Sequence, residues 1–455
     1  MFHVKHSLDD TITAIATPLG PGGVGVIRVS GPGAKNVLSP LFLSSNGSKI
    51  ESHKMSPGWL VDPSSGEKID RIMACYMMAP KTFTGEDVVE FHCHGSMAVV
   101  QKALNLTLGS GARLAQKGEF TKRAFLNGKI DLAQAEAVLD LVRTPTESGA
   151  GYAIKQLEGR LSDVVSGIKR SLIKMQAGLE VSIDFPEDVA ELNYNQLIQQ
   201  INGDIEAIAG LINSAQSGKI YRQGLATVII GKPNVGKSSL LNALLKEERA
   251  IVTEEPGTTR DSIEEALSIK GIPLRVVDTA GMRQPKDRAE ELGVNRAKEE
   301  RDQACLILAV FDASEPIDEL DQEVLKSIEG KRSVVVLNKV DLGLKAHISR
   351  KPEYKTSALY GDGIKELTDG IFAYIQAEIS MPADSSVLIN ERHKECLARA
   401  RESLLNAAET CVKGLAADIV AIDVKDAIMA LGEVTGELVS EEVINAIFDQ
   451  FCVGK

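Results

Sequence analysis

A glycine-bounded loop between an apolar strand and a helix constrains this chain more than any other stretch. Residues 226–230 read ATVII, 231–239 read GKPNVGKSS, and 240–245 read LLNALL, which continues as a helix. Strand, glycine loop and helix in that order are what a phosphate-binding P-loop requires. Gly231 and Gly236 let the backbone curl, so that N–H groups of the loop, with Asn234, Val235 and Ser239 as candidates, face phosphate oxygens. Lys237 supplies a point charge for the β- and γ-phosphates, and the Ser238 hydroxyl a ligand for Mg²⁺. The helix that begins near Lys237 aims its partly positive end at the same anion.

At 455 residues the chain exceeds one ordinary core and calls for roughly two to four domains. Its 44% hydrophobic and 25% charged residues fit a soluble globular protein. No apolar run reaches the roughly 18 residues of a membrane helix. The opening residues lack a signal-like apolar stretch, and the six scattered cysteines suit a reducing compartment, so a cytoplasmic protein is expected. A net charge of −12 argues against coating nucleic acid by charge alone, though not against a local basic groove. With only 4% aromatic residues, an extended base-stacking platform is not expected either.

Residues 1–127 read as a small α/β domain, with strands at 11–16, 24–29, 69–78 and 87–94 and a helix at 97–108. Two features there stand out. His92, Cys93 and His94 are potential metal ligands, but only the two histidines share a strand face, so a strand-end turn before Gly95 competes with zinc. The charged segment 118–129 is either a solvated helix or part of a site. From 128 to 219 the pattern is helical: Leu132, Ala135, Val138, Leu139 and Val142 share a face, Pro145 interrupts, and Ile154, Leu157, Leu161, Val164, Ile168, Leu172 and Met175 resume it. Residues 198–212 continue the helical pattern. It returns in 381–455, where Leu397, Leu404, Ala408, Cys411 and Leu415 form a stripe and Ser440 is placed to cap the final helix. Helices on both sides of an α/β unit predict a discontinuous helical bundle carrying an inserted domain at 220–380.

Within 220–380, strands at 225–230, 265–269, 274–278, 306–311, 333–337 and 354–356 alternate with helices, which implies a mostly parallel sheet. Thr258 and Thr259 fall in a loop able to close on a γ-phosphate. Asp278, Thr279, Ala280 and Gly281 end an apolar strand, where a carboxylate can hold the Mg²⁺ shell and a glycine N–H reach the γ-phosphate. Asn338, Lys339 and Asp341 decide the base. The Asp341 carboxylate accepts from the guanine ring N–H and amine, whereas adenine would leave acceptors unpaired. Asn338 ties this loop to the P-loop, the Lys339 stem covers the purine face, and Ser357 and Ala358, after Thr356, supply a donor for the guanine carbonyl. Five elements in this order predict GTP binding. Met282 stands where many GTPases carry the glutamine that orients water, and a thioether cannot do that work.

Together these motifs resemble the tRNA-modification GTPase family MnmE, also called TrmE. The resemblance spans the chain: DTI at 10–12 with GGVG at 22–25, FTGEDV at 83–88, GEF at 118–120, DLAQAEA at 131–137, the GTPase set and CVGK at 452–455. The P-loop alone would also fit a nucleotide-gated ribosome-assembly GTPase, the alternative reading. The resemblance implies a multidomain protein: an N-terminal α/β domain for folate binding and homodimerisation, a discontinuous helical bundle and an inserted P-loop GTPase domain. It implies a GTP hydrolase that acts on the tRNA wobble uridine with an FAD-dependent MnmG-type protein, in a heterotetramer or larger assembly. The one-carbon donor implied is 5-formyl- or methylene-tetrahydrofolate.

The resemblance also assigns residues. Arg28, Glu90, Lys129 and Lys455 match the folate positions. Asn234, Thr253, Glu255 and Thr258 match a K⁺ site, the two middle contacts being carbonyls. Ser238 and Thr259 match the Mg²⁺ ligands, and Glu290 matches the carboxylate that orients water. Cys452 is open between a reactive thiol beside the folate and a small apolar residue closing the last helix.

Overall fold

Alternation of buried and open side chains turns the first third of the chain into one sheet. The structure, a computed structural model, describes residues 10–47, 49–185, 193–247, 265–277, 305–348, 353–379 and 387–455. Its internal contacts separate two units, Met1–Leu139 with Gly432–Lys455, and Asp140–Leu431.

The first unit contains β1 (Ile12–Ile15), β2 (Gly22–Ser30), β3 (Phe42–Ser44), β4 (Lys54–Val61), β5 (Lys68–Met77), β6 (Val88–Gly95) and β7 (Arg113–Leu114). They order as β3-β4-β5-β6-β2-β1-β7, antiparallel apart from the β1–β7 pair. The four strands read from sequence are present, while β3, β4 and β7 add to them. β4 carries Pro57 and Gly58, residues that disguise a strand. Gly58 is required there, because a Cβ would stand 2.4 Å from the Phe42 ring of β3. Helices α1 (Ala34–Leu41) and α2 (Met97–Gly109) cover the sheet, packing Val37, Leu41, Val100 and Leu104 on Ile27, Ile72 and Phe91.

Helix α3 (Glu119–Leu126) follows, then α4 (Leu132–Arg143), whose Leu132 and Ala135 pack against Phe448 and Phe451 of the chain's last turns. The final helix, Glu441–Phe448, is capped by Ser440, which accepts from the Val443 N–H. In the charged segment 118–129, Arg123 is buried, not solvated. Its guanidinium donates to Asp10 Oδ1 at 2.6 Å, Glu119 Oε1 at 2.9 Å and Glu86 Oε1 at 3.1 Å. Burial works to raise the Glu119 pKa, but Arg113, the Gln116 N–H and Arg123 outweigh it and hold the carboxyl below its usual value.

The second unit holds a sheet of β8 (Leu225–Ile230), β9 (Glu265–Ile269), β10 (Ile272–Val277), β11 (Leu306–Asp312), β12 (Ser333–Asn338) and β13 (Glu353–Lys355). The order is β13-β12-β11-β8-β10-β9, parallel except for the β9–β10 hairpin. Every strand lies within two residues at each end of its expected position, because β8, β11 and β12 are apolar on both faces.

The helices of this unit depart from the reading in detail. The stripe expected to run from Ile154 through Met175 is two helices, α5 (Glu147–Leu157) and α6 (Arg160–Asp184), broken at Gly159 with φ +91°. Ile154 and Val164 are exposed, and α6 buries Leu161, Val165, Ile168, Leu172, Met175 and Leu179 instead. α7 (Tyr194–Asn213) is followed by α8 (Ala215–Gln223), which leads directly into β8. Downstream, α9 (Lys237–Glu247), α10 (Glu319–Ser327) and α11 (Ile364–Ile379) flank the sheet strands, and α12 (Glu391–Val412) packs on α7. α12 buries Leu397, Leu404, Ala407 and Cys411, while Leu415 lies beyond its end and is exposed. Among the described residues no helix is long and apolar enough to cross a membrane.

Arg123→Met leaves Glu86 and Glu119 without their shared cation. It is expected to destabilise the first unit by about 3–5 kcal/mol, read by urea unfolding through Trp59, the chain's single tryptophan.

Candidate functional site

The phosphate loop leaves the interior of the second sheet, since β8 is flanked by β10 and β11. In open α/β sheets a crevice for ligands lies outside the carboxyl ends of such strands. Gly231 has φ +153° and Gly236 φ +94°. A Cβ on Gly231 would meet the Val310 carbonyl oxygen at 2.3 Å, and one on Gly236 would meet Asn338 Nδ2 at 2.3 Å. Asn234 is also left-handed, with φ +66°, a conformation uncommon outside glycine. Turns of this kind bring successive backbone N–H groups onto a concave side that suits an anion.

Lys237, the first residue of α9, bends back across the loop. Its Nζ donates to the Gly231 carbonyl at 2.8 Å and the Lys232 carbonyl at 2.9 Å. Burial lowers its pKa, so an anion that pairs with the ammonium offsets a cost already present. Val235 is buried, and Ser238 and Ser239 are exposed in the first turn of α9, where their hydroxyls can be reached. The cradle fits a nucleotide's phosphates, and Ser238 is free to take a magnesium ion.

One amide joins this loop to the loops that follow β12 and β13. Asn338, at the end of β12, donates from Nδ2 to the Val235 carbonyl at 2.9 Å. Its Oδ1 accepts from the Ala358 N–H at 2.9 Å and the Thr356 hydroxyl at 3.2 Å. Ser357 Oγ donates to Asp341 Oδ1 at 2.5 Å, orienting that exposed carboxylate. Lys339, left-handed at φ +64°, places its Nζ 2.7 Å from Asp312 Oδ2. Burial works to raise the Asp312 pKa, yet Lys339 and Ser314 hold it below the usual range. Sequence reading missed Asp312, whose only signal is its place at the end of a buried strand. Thr253, Glu255, Thr258, Thr259, Asp278, Thr279, Ala280, Gly281 and Glu290 lie outside the described residues.

The first unit gathers another set. Arg28 and Glu90 face each other across β2 and β6, with Arg28 Nε 2.9 Å from Glu90 Oε1. Glu90 Oε2 lies 3.1 Å from His92 Nε2, whereas His94 pairs with Asp70. The Arg28 guanidinium sits 5.8 Å over the Phe120 ring, and the Phe120 N–H donates to the Lys455 carbonyl at 3.2 Å. The tail is fixed further by a bridge between Lys117 and Val453 and by the Gly118 N–H bonding the Cys452 carbonyl. Gly454, at φ +100°, comes so near β1 that a Cβ would stand 2.2 Å from the Ile15 carbonyl oxygen. Arg28, Glu90 and the tail thus adjoin through Phe120, and Cys452 is exposed. Lys129 Nζ donates to the Pro80 carbonyl at 3.0 Å. The Glu90 carboxylate beside the half-buried Arg28 guanidinium suits a ligand with both N–H donors and acidic groups, as a folate has.

Two family models match the chain: "GTP-binding protein TrmE N-terminus" over residues 11–129 and "MnmE helical domain" over 132–452. The tRNA modification GTPase MnmE of Alkaliphilus oremlandii is 45% identical, with 98% of this chain and 100% of the relative covered. This chain belongs to the MnmE family. The MnmE of Geobacillus kaustophilus is 44% identical over 98% of this chain and 99% of its own. Among solved structures, Era in complex with MgGDPNP and a piece of 16S ribosomal RNA aligns at 28% identity with 39% of this chain and 65% of that one. Its TM-score is 0.27.

Gly236→Ala forces a side chain into a left-handed residue and against Asn338. It is expected to weaken nucleotide binding by roughly a hundredfold or more, measured by titration with a fluorescent guanine nucleotide, with circular dichroism unchanged.

Proposed function

We propose that this chain is a GTP hydrolase that acts in the modification of the tRNA wobble uridine. The observation that carries the reading is the Asn338 amide. It holds the phosphate loop at Val235 and the base loop at Ala358, beside the oriented Asp341 carboxylate. Near-full-length similarity to tRNA modification GTPases supports the assignment of the substrate.

Backbone N–H groups of 231–239 and Lys237 bind the phosphates, Ser238 and Thr259 hold Mg²⁺, and Asp341 reads guanine. Asn234, Thr253, Glu255 and Thr258 would hold K⁺, which would supply positive charge to the phosphate chemistry. Glu290 orients water where Met282 cannot. The first unit holds tetrahydrofolate with Arg28, Glu90, Lys129 and Lys455, and forms the homodimer. An FAD-dependent MnmG-type protein is the partner. The domain boundaries that serve this division of work are 1–127, 128–219, 220–380 and 381–455.

Deleting the gene is expected to remove the C5 modification of the wobble uridine, seen by nucleoside analysis of purified tRNA. Intact modification with a ribosomal-subunit defect would move the protein to the ribosome-assembly class. Asn234→Ala is expected to abolish stimulation of GTP hydrolysis by K⁺ over Na⁺. An unchanged K⁺ response would remove Asn234 from the ion site.

A further inference from the structure

The phosphate loop carries a second lysine that phosphate chemistry does not use. Lys232 Nζ lies 2.8 Å from Asp318 Oδ2, 3.0 Å from Asp321 Oδ2 and 3.5 Å from Glu315 Oε2, with its side chain 12% exposed. The two aspartates are not an incidental pair. Asp318 caps α10 by accepting from the Asp321 N–H, and Asp321 Oδ2 accepts from the Asp318 N–H in return. Asp321 is buried, and its Oδ1 has no hydrogen-bond partner, so Lys232 supplies the counter-charge that its burial demands.

The same connection between β11 and α10 reaches the other end of the site. Asp312, the last residue of β11, from which it starts, is the one that holds Lys339. Residues 312–321 therefore grip the phosphate loop through Lys232 and the base loop through Lys339, although they contain none of the nucleotide-binding motifs.

We propose that Lys232 and Asp312 are positioning residues for guanine-nucleotide binding, through which the 312–321 connection presets both loops before the nucleotide arrives. The proposal rests on the reading of the site as a GTP site. Lys232 gives its charge to carboxylates, not to the ligand. Its loss both loosens the loop and uncovers up to three negative charges near a site for a polyphosphate. Loss of Asp312 releases the Lys339 ammonium from its fixed place.

The test is titration of the full chain with GDP, GTP and ATP, with melting temperature and GTP turnover measured alongside. Lys232→Met is expected to weaken GDP and GTP binding on the order of tenfold, with the effect on KM exceeding that on kcat. Lys232→Arg, whose guanidinium spans two carboxylates, is expected to restore most of the affinity. Adding Asp318→Asn to Lys232→Met is expected to recover part of it, more at low salt. Asp312→Asn, outside the phosphate loop, gives an independent arm should Lys232→Met fold poorly, and is expected to weaken guanine binding a few-fold. Normal guanine-nucleotide affinity in both Lys232→Met and Asp312→Asn overturns this proposal alone. A loss in Lys232→Met that tracks melting temperature and is not relieved by Lys232→Arg also overturns it. A wild-type chain that binds no guanine nucleotide overturns the functional reading, and this proposal with it.

Discussion

A single buried amide sets the geometry on which the nucleotide site depends. Asn338 spends its donor on the Val235 carbonyl and its acceptor on the Ala358 N–H and the Thr356 hydroxyl. Three loops that leave different strands are thereby fixed relative to one another. Because both ends of the amide are used inside the protein, neither a carboxylate nor an apolar residue can replace it without leaving a buried partner unpaired. Gly236 follows from the same constraint, since the amide fills the space that a side chain there would need.

The first unit solves a related problem with charge. Arg123 is enclosed by Asp10, Glu86 and Glu119, which links α3 to the loop before β6 and to the approach to β1. α3 in turn presents Phe120, whose ring lies under Arg28 and whose backbone N–H donates to the Lys455 carbonyl. The buried ionic knot and the Phe120 contacts to Arg28 and the tail thus share one short helix.

Much of this was legible because the sequence states it locally. Strands β8, β11 and β12 are continuous apolar runs, and the glycines at 231 and 236 mark turns that other residues would strain. What escaped was set by distant partners. β4 is a strand because β3 and β5 pair with it despite Pro57. Arg123 reads as a surface cation until Glu86, 37 residues away, closes over it. Lys232 looks like loop filler because Asp318 and Asp321 lie 86 and 89 residues downstream. The helical stripe misled for a different reason: Gly159 resets the helical phase, so positions counted from one side of it point elsewhere on the other. In the site, Asn338 was legible as the tie between two loops, while Lys232 and Asp312, which hold the same loops through carboxylate–lysine pairs, were not.

The packing of α4 on the last helix has a consequence for how the chain is made. Leu132 and Ala135 are synthesised early, but Ile447, Phe448 and Phe451, which cover them, follow only after the roughly 290 residues of the second unit. At about 5–20 residues per second, that is an interval of about 15–60 s during which an apolar seam on the nascent first unit stands open to water. The first unit is therefore the last to be completed, and chaperone dependence should concentrate on it.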